Sequence, residues 1–193
     1  MDWSQHAIPA MRLEPRFGDR IVPAFCERPK TIPAMVADAV ALNPDGEALV
    51  CGATRLSWRD VAQRSAQIAA GFQKLGLRRG DRVAVLLGNR TEFVLTMLGA
   101  AHAGLVTVLL SPRQQKPEIA YVLTDCGARL LVHEAALADR VPDAGDIPAV
   151  THRIAVDDDP RRSRFSDLAD NAPLAAPVEV GEEDTAMILY TSG

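Results

Sequence analysis

Three times along this chain a helix-like amphipathic stretch stops at a glycine, and a short run of nearly pure apolar residues follows. The runs are Val83-Ala84-Val85-Leu86-Leu87, Val106-Thr107-Val108-Leu109-Leu110 and Arg129-Leu130-Leu131-Val132-His133, and the glycines are Gly76, Gly104 and Gly127. Runs this apolar have no side to turn to water, so they read as strands of a parallel sheet covered on both faces. Parallel neighbours cannot be joined by a tight turn; they need a crossover of a dozen or more residues, usually helical. The intervening stretches supply it. Ser57 and Asp60 resemble a capping box ahead of Val61, Ile68, Phe72 and Leu75. Asn89 or Thr91 caps a helix carrying Phe93, Val94, Met97, Leu98 and Ala101, and Pro117 sits in the first turn of one carrying Ile119, Val122 and Leu123. This alternation predicts an α/β fold: an open, doubly wound, mostly parallel sheet with flanking helices and right-handed crossovers.

Around that unit the pattern changes. Residues 1–30 hold Pro9, Pro15, Pro23 and Pro29 with no sustained apolar period, and are predicted to form an extended N-terminal arm. From Thr31 onward Ile32, Val36 and Val40 mark a first helix, with Asn43-Pro44 as its stop. Glu47 to Cys51 and Thr54 to Trp58 flank Gly52-Ala53 as a β-hairpin. Beyond His133 the reading is a short helix over Ala135 to Asp139, a loop over Val141 to Val150, a strand at Arg153 to Val156 and a short helix at Phe165 to Ala169. The expected organisation is an arm (1–30), an α/β subdomain (31–170), a linker (171–184), and a strand with the start of a turn (185–193).

Charge and cysteine usage narrow the partners. With 21 basic against 25 acidic side chains the net charge is −4, and there is no cationic excess to draw nucleic acid or an anionic membrane. No apolar run nears the ~18 residues of a membrane span, and the N-terminus lacks the basic start and apolar centre of a signal peptide. Cys26, Cys51 and Cys126 have neither disulfide nor zinc-site spacing and read as small buried hydrophobes. A reducing, cytoplasmic setting is expected. No feature sets an oligomeric state.

Few residues carry chemistry on their own. Asp157-Asp158-Asp159 reads as a solvated turn, since three consecutive carboxylates do not converge without a dedicated loop. His102 reads as a packing or surface residue and His133 as the end of a strand, while His6 and His152 fall in loops. Arg78-Arg79 and Arg161-Arg162 read as solvated turns. No G-x-S-x-G occurs, which disfavours an α/β hydrolase. The informative segment is the last one. Thr185 to Tyr190 is an apolar strand, and Thr191-Ser192-Gly193 places two hydroxyls and a glycine at its carboxyl end, where open α/β sheets bind ligands and where successive N–H groups can wrap a phosphate.

Three segments, in order, resemble one family. Leu56-Ser57-Trp58-Arg59-Asp60-Val61 is similar to the first core motif of the acyl-adenylate-forming enzymes, the superfamily of acyl-CoA synthetases, nonribosomal-peptide adenylation domains and firefly luciferase. Leu98-Gly99-Ala100-Ala101-His102-Ala103-Gly104 with Val106 to Pro112 resembles the second. Ala186 to Gly193 resembles the start of the third, a Ser/Thr/Gly-rich phosphate loop that in the family runs on through glycines to a lysine. Trp58 stands where a tyrosine is usual, and Ser111-Pro112 where Asn-Pro is common. The likeness spans residues 31–193 and is nearest to the acyl-CoA synthetases.

The resemblance implies an AMP-forming ligase that activates a carboxylic acid with ATP and Mg²⁺ to an acyl-adenylate and passes the acyl group to CoA. It implies that Thr191, Ser192 and Gly193 bind the nucleotide's phosphates. No residue of this chain is assigned a catalytic or metal-binding role, because the family's lysine and later motifs do not occur in it. On that ground the 193 residues are expected to be an inactive N-terminal fragment; a stand-alone, non-catalytic α/β ligand-binding or scaffold domain is the alternative. Fatty, aromatic and other carboxylates stay open as the acid, and so does a carrier-protein thiol as the acceptor.

Overall fold

The computed structural model describes residues 9–157 and 164–191. Its centre is a five-stranded, wholly parallel sheet made of β5 (Arg82–Leu86), β6 (Val106–Leu109), β7 (Ala128–Glu134), β8 (His152–Val156) and β9 (Met187–Leu189), in the order β8-β7-β5-β6-β9. Val83, Ala84, Val85 and Leu86 of the middle strand have no exposed surface at all. Alternate residues serve opposite faces. Val83 and Val85 pack with Leu130 and Val132 against Ile68 and Phe72 of α2 (Trp58–Lys74) and Leu95 and Leu98 of α3 (Thr91–His102). Ala84 and Leu86 pack with Val108 and Leu131 against Ile119, Val122 and Leu123 of α4 (Lys116–Asp125). The chain steps from β5 outward to β6 and then back past β5 to β7. Right-handed crossovers in opposite directions put their helices on opposite faces, which is where α3 and α4 lie.

Helix starts follow local chemistry, with two adjustments. Thr31 Oγ1 accepts from Ala34 N at the start of α1 (Ile32–Leu42). At α2 the Ser57–Asp60 capping box is formed in both directions. For α3 neither Asn89 nor Thr91 is the cap; Arg90 holds that position with no side-chain capping bond. For α4 Lys116 precedes Pro117, and Glu118 accepts from Gln115 N at 2.8 Å. Gly76, Gly104 and Gly127 all have positive φ, the left-handed conformation that ends a helix without a Cβ penalty.

Three further elements depart from the sequence reading. Within the N-terminal arm, β1 (Met11–Arg16) and β2 (Arg20–Phe25) form an antiparallel ribbon turning at Phe17-Gly18. One ribbon face, Met11, Leu13, Pro15, Ile21, Pro23 and Phe25, is exposed. The other carries Glu14, which is buried among Arg12, Arg16 and Arg28. Arg16 and Arg28 also reach Glu182, at 2.8 and 2.6 Å, and thereby tie the ribbon to the segment ahead of β9. The hairpin β3 (Glu47–Cys51) and β4 (Thr54–Ser57) forms as expected, and so does the short helix α5, at Ser166–Ala169, whereas Ala135–Arg140 is a 3₁₀ turn. His152 begins β8 rather than lying in a loop. Cys26, Cys51 and Cys126 are free and half-buried, not fully buried as small hydrophobes would be. Most of the Asp157–Asp159 turn, Arg161-Arg162 and His6 lie outside the described residues.

Two expectations follow. A Cβ on Gly71 of α2 would sit 2.5 Å from Leu168 O and 2.6 Å from Leu168 Cα, both backbone atoms of α5. Gly71→Ala therefore loses by overpacking, about 1–3 kcal/mol, more than the ~1 kcal/mol that alanine gains in a helix interior. Gly145→Ala, with nothing within 4 Å, is the neutral control, and urea unfolding compares the two. Glu14 is held well below the ordinary carboxylate range, chiefly by hydrogen bonds from Arg28, then Arg16 and Arg12. A depressed folded pKa gives stability that is present above the unfolded value of about 4.3 and lost as pH falls through the folded one. Protection of the β1 and β2 amides, taken relative to their intrinsic exchange rates, is thus expected to hold to about pH 4 and to fall only below it, and Glu14→Gln to lower it already at pH 7.

Candidate functional site

The carboxyl ends of the parallel strands gather Leu87-Gly88 after β5, Leu110-Ser111 after β6, His133-Glu134 at the end of β7 and Tyr190-Thr191 after β9. β5 and β7 are neighbours whose connections leave in opposite directions, toward β6 and toward β8. That makes the β5/β7 boundary the topological switch point, the usual ligand crevice of such sheets. There Glu134 Oε1 accepts from Gly88 N at 2.7 Å. Gly88 allows the approach: a Cβ would lie 3.2 Å from the same oxygen. His133 is 8% exposed. Burial pushes its imidazole below the ordinary value, and Arg153 pushes the same way against a raising bond to Glu134 O. Since a carbonyl only accepts, Nδ1–H is the donor in that 2.9 Å bond, leaving Nε2 as the ring's acceptor.

Thr191 sits at the same end of the sheet on the outermost strand, three strand spacings from β7, roughly 14 Å at about 4.8 Å per strand. Its side chain is exposed. β9 is shorter than the six residues expected for it, keeping three ladder pairs with β6: Thr107↔Met187, Val108↔Ile188 and Leu109↔Leu189. Ser192 and Gly193, the other two expected phosphate ligands, lie outside the described residues. Ser111 is engaged locally: its N–H donates to Gln114 Oε1 at 2.9 Å, and its Oγ accepts from Arg113 N at 3.2 Å.

The remaining candidates fall elsewhere. His102 closes α3 at the amino ends of the strands; its half-buried ring is pushed by burial toward the neutral form, away from the strand-end site. Arg79 pairs with Asp184 at 2.6 Å, also at the amino ends. A cavity of about 670 Å³ opens on that side too, between Ile32 and Met35 of α1 and Arg82, Val106 and Ala186. Among the described residues no three His, Cys, Asp or Glu side chains converge as a metal site. Among them, too, no helix is long and apolar enough to cross a membrane. The Glu134–Gly88 bond and the hydrogen bond from the Tyr190 hydroxyl to Asp125 were beyond sequence reasoning, because each joins residues more than forty positions apart.

Comparison with known proteins identifies the fold. The family model described as AMP-binding enzyme matches residues 36–193. The chain belongs to the AMP-binding enzyme family. Among similar proteins, the uncharacterized protein Rv1549 of Mycobacterium tuberculosis is 34% identical over 141 residues, covering 72% of this chain and 77% of that protein. The long-chain-fatty-acid–CoA ligase FadD13 of the same species is 32% identical over 85% of this chain and 33% of its own length. The solved M. tuberculosis fatty acyl CoA synthetase superposes with a TM-score of 0.77 at 28% identity, over 84% of this chain and 33% of that one. The family member described here thus spans about a third of the length of the ligases it matches, within which lie both the switch point and the exit of β9.

The site geometry makes one stability expectation. Glu134→Ala removes a charged acceptor and strands the Gly88 N–H, a loss of about 1–3 kcal/mol; Glu134→Gln keeps an oxygen there and is expected to lose less than half of that. Chemical denaturation of the two variants beside wild type decides it.

Proposed function

We propose that this chain is the N-terminal α/β part of an AMP-forming carboxylate–CoA ligase, and that the exit of β9 opens the phosphate site for ATP. The observation that carries the reading is Thr191, exposed at the carboxyl end of a parallel strand inside the family match. The division into an arm (1–30), an α/β subdomain (31–170), a linker (171–184) and a strand with the loop start (185–193) belongs to the same proposal.

The reaction has two halves. A carboxylate oxygen attacks the α-phosphorus of ATP and pyrophosphate leaves; the thiol of CoA then attacks the acyl carbon and AMP leaves. The electrostatic difficulty lies in bringing one anion up to another, which preorganised donors relieve. In this chain the Thr191 hydroxyl donates to a phosphate oxygen, and Ser192 and Gly193 extend the cradle with a hydroxyl and backbone N–H groups. Mg²⁺, when bound with the nucleotide, supplies positive charge to the phosphates. The similarity to fatty-acid–CoA ligases supports CoA over a carrier-protein thiol and a fatty acid as the first substrate class to try.

The experiment is a titration of ATP with Mg²⁺ into the 193-residue chain, with Thr191→Ala beside it. Loss of one hydrogen bond to a charged group is expected to weaken binding by about 10- to 150-fold, and equal affinities would remove Thr191 from the site. The chain by itself is expected to exchange no pyrophosphate into ATP; measurable exchange would show that these residues suffice for adenylation. Acid-dependent AMP formation by a longer protein containing this chain, with and without CoA, tests the acceptor.

A further inference from the structure

Tyr190 stands between the last residue of β9 and Thr191, and α4 holds it at two points. Its hydroxyl donates to Asp125 Oδ2 at 2.5 Å. Its ring meets Tyr121 edge to face, with centroids 6.3 Å apart and planes at 83°, the favoured aromatic geometry. Tyr121 and Asp125 are four residues apart on α4 and therefore share one side of the helix. The Tyr190 ring falls on that side because Ile188 and Tyr190 alternate with Leu189 and pack with the α4 core. The carboxylate also keeps the phenol protonated: the hydrogen bond from Tyr190 to Asp125, and burial after it, hold the hydroxyl above the ordinary phenol range.

A seat of this kind matters because β9 has little else to orient it. Among the described residues it is an edge strand of three residues, laddered to β6 alone, and Leu189 is 64% exposed. Three ladder pairs align a strand, but they leave the direction in which the chain departs to whatever grips the next residue. That residue is Tyr190, and the grip is α4.

We propose that Asp125 and Tyr121 form a seat for Tyr190 that fixes the departure of the chain from β9, making Tyr190 a positioning residue for the phosphate contact of Thr191. This rests on the phosphate-site reading above. The hydroxyl and the ring hold the backbone at Tyr190, the next peptide inherits its orientation, and Thr191 meets the nucleotide already aligned instead of being ordered by it. Such preorganisation appears as affinity, because less freedom is lost on binding.

The test uses the full 193-residue chain with Tyr190→Phe, Asp125→Ala, the double variant and Asp125→Asn. Two quantities are read: hydrogen exchange of the amides of Leu189 to Thr191, and affinity for ATP with Mg²⁺. Tyr190→Phe and Asp125→Ala are each expected to speed that exchange and to weaken ATP binding by about 2- to 10-fold, the span of one net hydrogen bond. The double variant should be no worse than either single one. Asp125→Asn, which retains an acceptor oxygen, should stay within about 2-fold of wild type, and exchange in β5 and β7 should not change in any variant. Wild-type exchange at 189–191 in both single variants would overturn the seat. Faster exchange with unchanged ATP affinity would overturn its role in phosphate positioning. If wild type binds no ATP, the phosphate-site reading falls and takes the nucleotide role with it, while the exchange data still decide whether the seat holds β9.

Discussion

The fold depends on keeping β5 dry on both faces. Burying a Val or Leu side chain is worth about 1.5–3 kcal/mol, so Val83, Val85 and Leu86 together account for roughly 5–9 kcal/mol as an upper figure. That is comparable with the whole net stability of a typical domain, about 5–15 kcal/mol. Burial on one face requires α2 and α3, and burial on the other requires α4. The two helical layers are built by crossovers running in opposite directions, and that reversal makes the β5/β7 boundary the topological switch point. The switch point is thus a by-product of covering the middle strand.

The elements that cover β5 were legible because their signals are local. A glycine with positive φ, a capping pair three residues apart and a five-residue apolar run all act within one turn of the chain. The ribbon at Met11 to Phe25 was hidden because its prolines argue against helix without announcing a strand pair, and because its buried face is made of charges. Glu14 lies in the interior only because Arg12, Arg16 and Arg28 converge on it. Arg90 takes the cap of α3 without a capping bond, against local preference; burial of Leu95 and Leu98 on β5 carries that helix instead. Of the strand-end site, Thr191 could be picked out from the apolar run before it. Glu134 and Asp125 could not, since what makes them matter is a partner brought near by the sheet.

Charge does different work in different places here. Around Glu14 it is dense and nearly enclosed, and it fastens the ribbon to the segment ahead of β9. At Glu134 a single carboxylate satisfies a backbone N–H at the switch point. At Asp125 it grips a phenol on the surface. The rest of the sequence's 46 charged residues need no such explanation; pairs like Arg59 with Asp45, both more than half exposed, are of the kind worth little in water.

The pairing of β9 with β6 also has a kinetic side. Thr107 meets Met187 across some eighty residues, whereas β5, β6 and β7 are linked through one helix at a time. Contacts close in sequence form early and distant ones late, so β9 joins a sheet whose other strands are already assembled. The same order in reverse makes it the first strand to come away: with three ladder pairs and one neighbour, it is the piece of the sheet that opens at the lowest free energy while the β5 core stays shut. The strand whose exit we propose as the phosphate site is therefore, among the described residues, the most easily loosened part of the sheet, and a phosphate bound there would act as a final latch on folding as well as a substrate group.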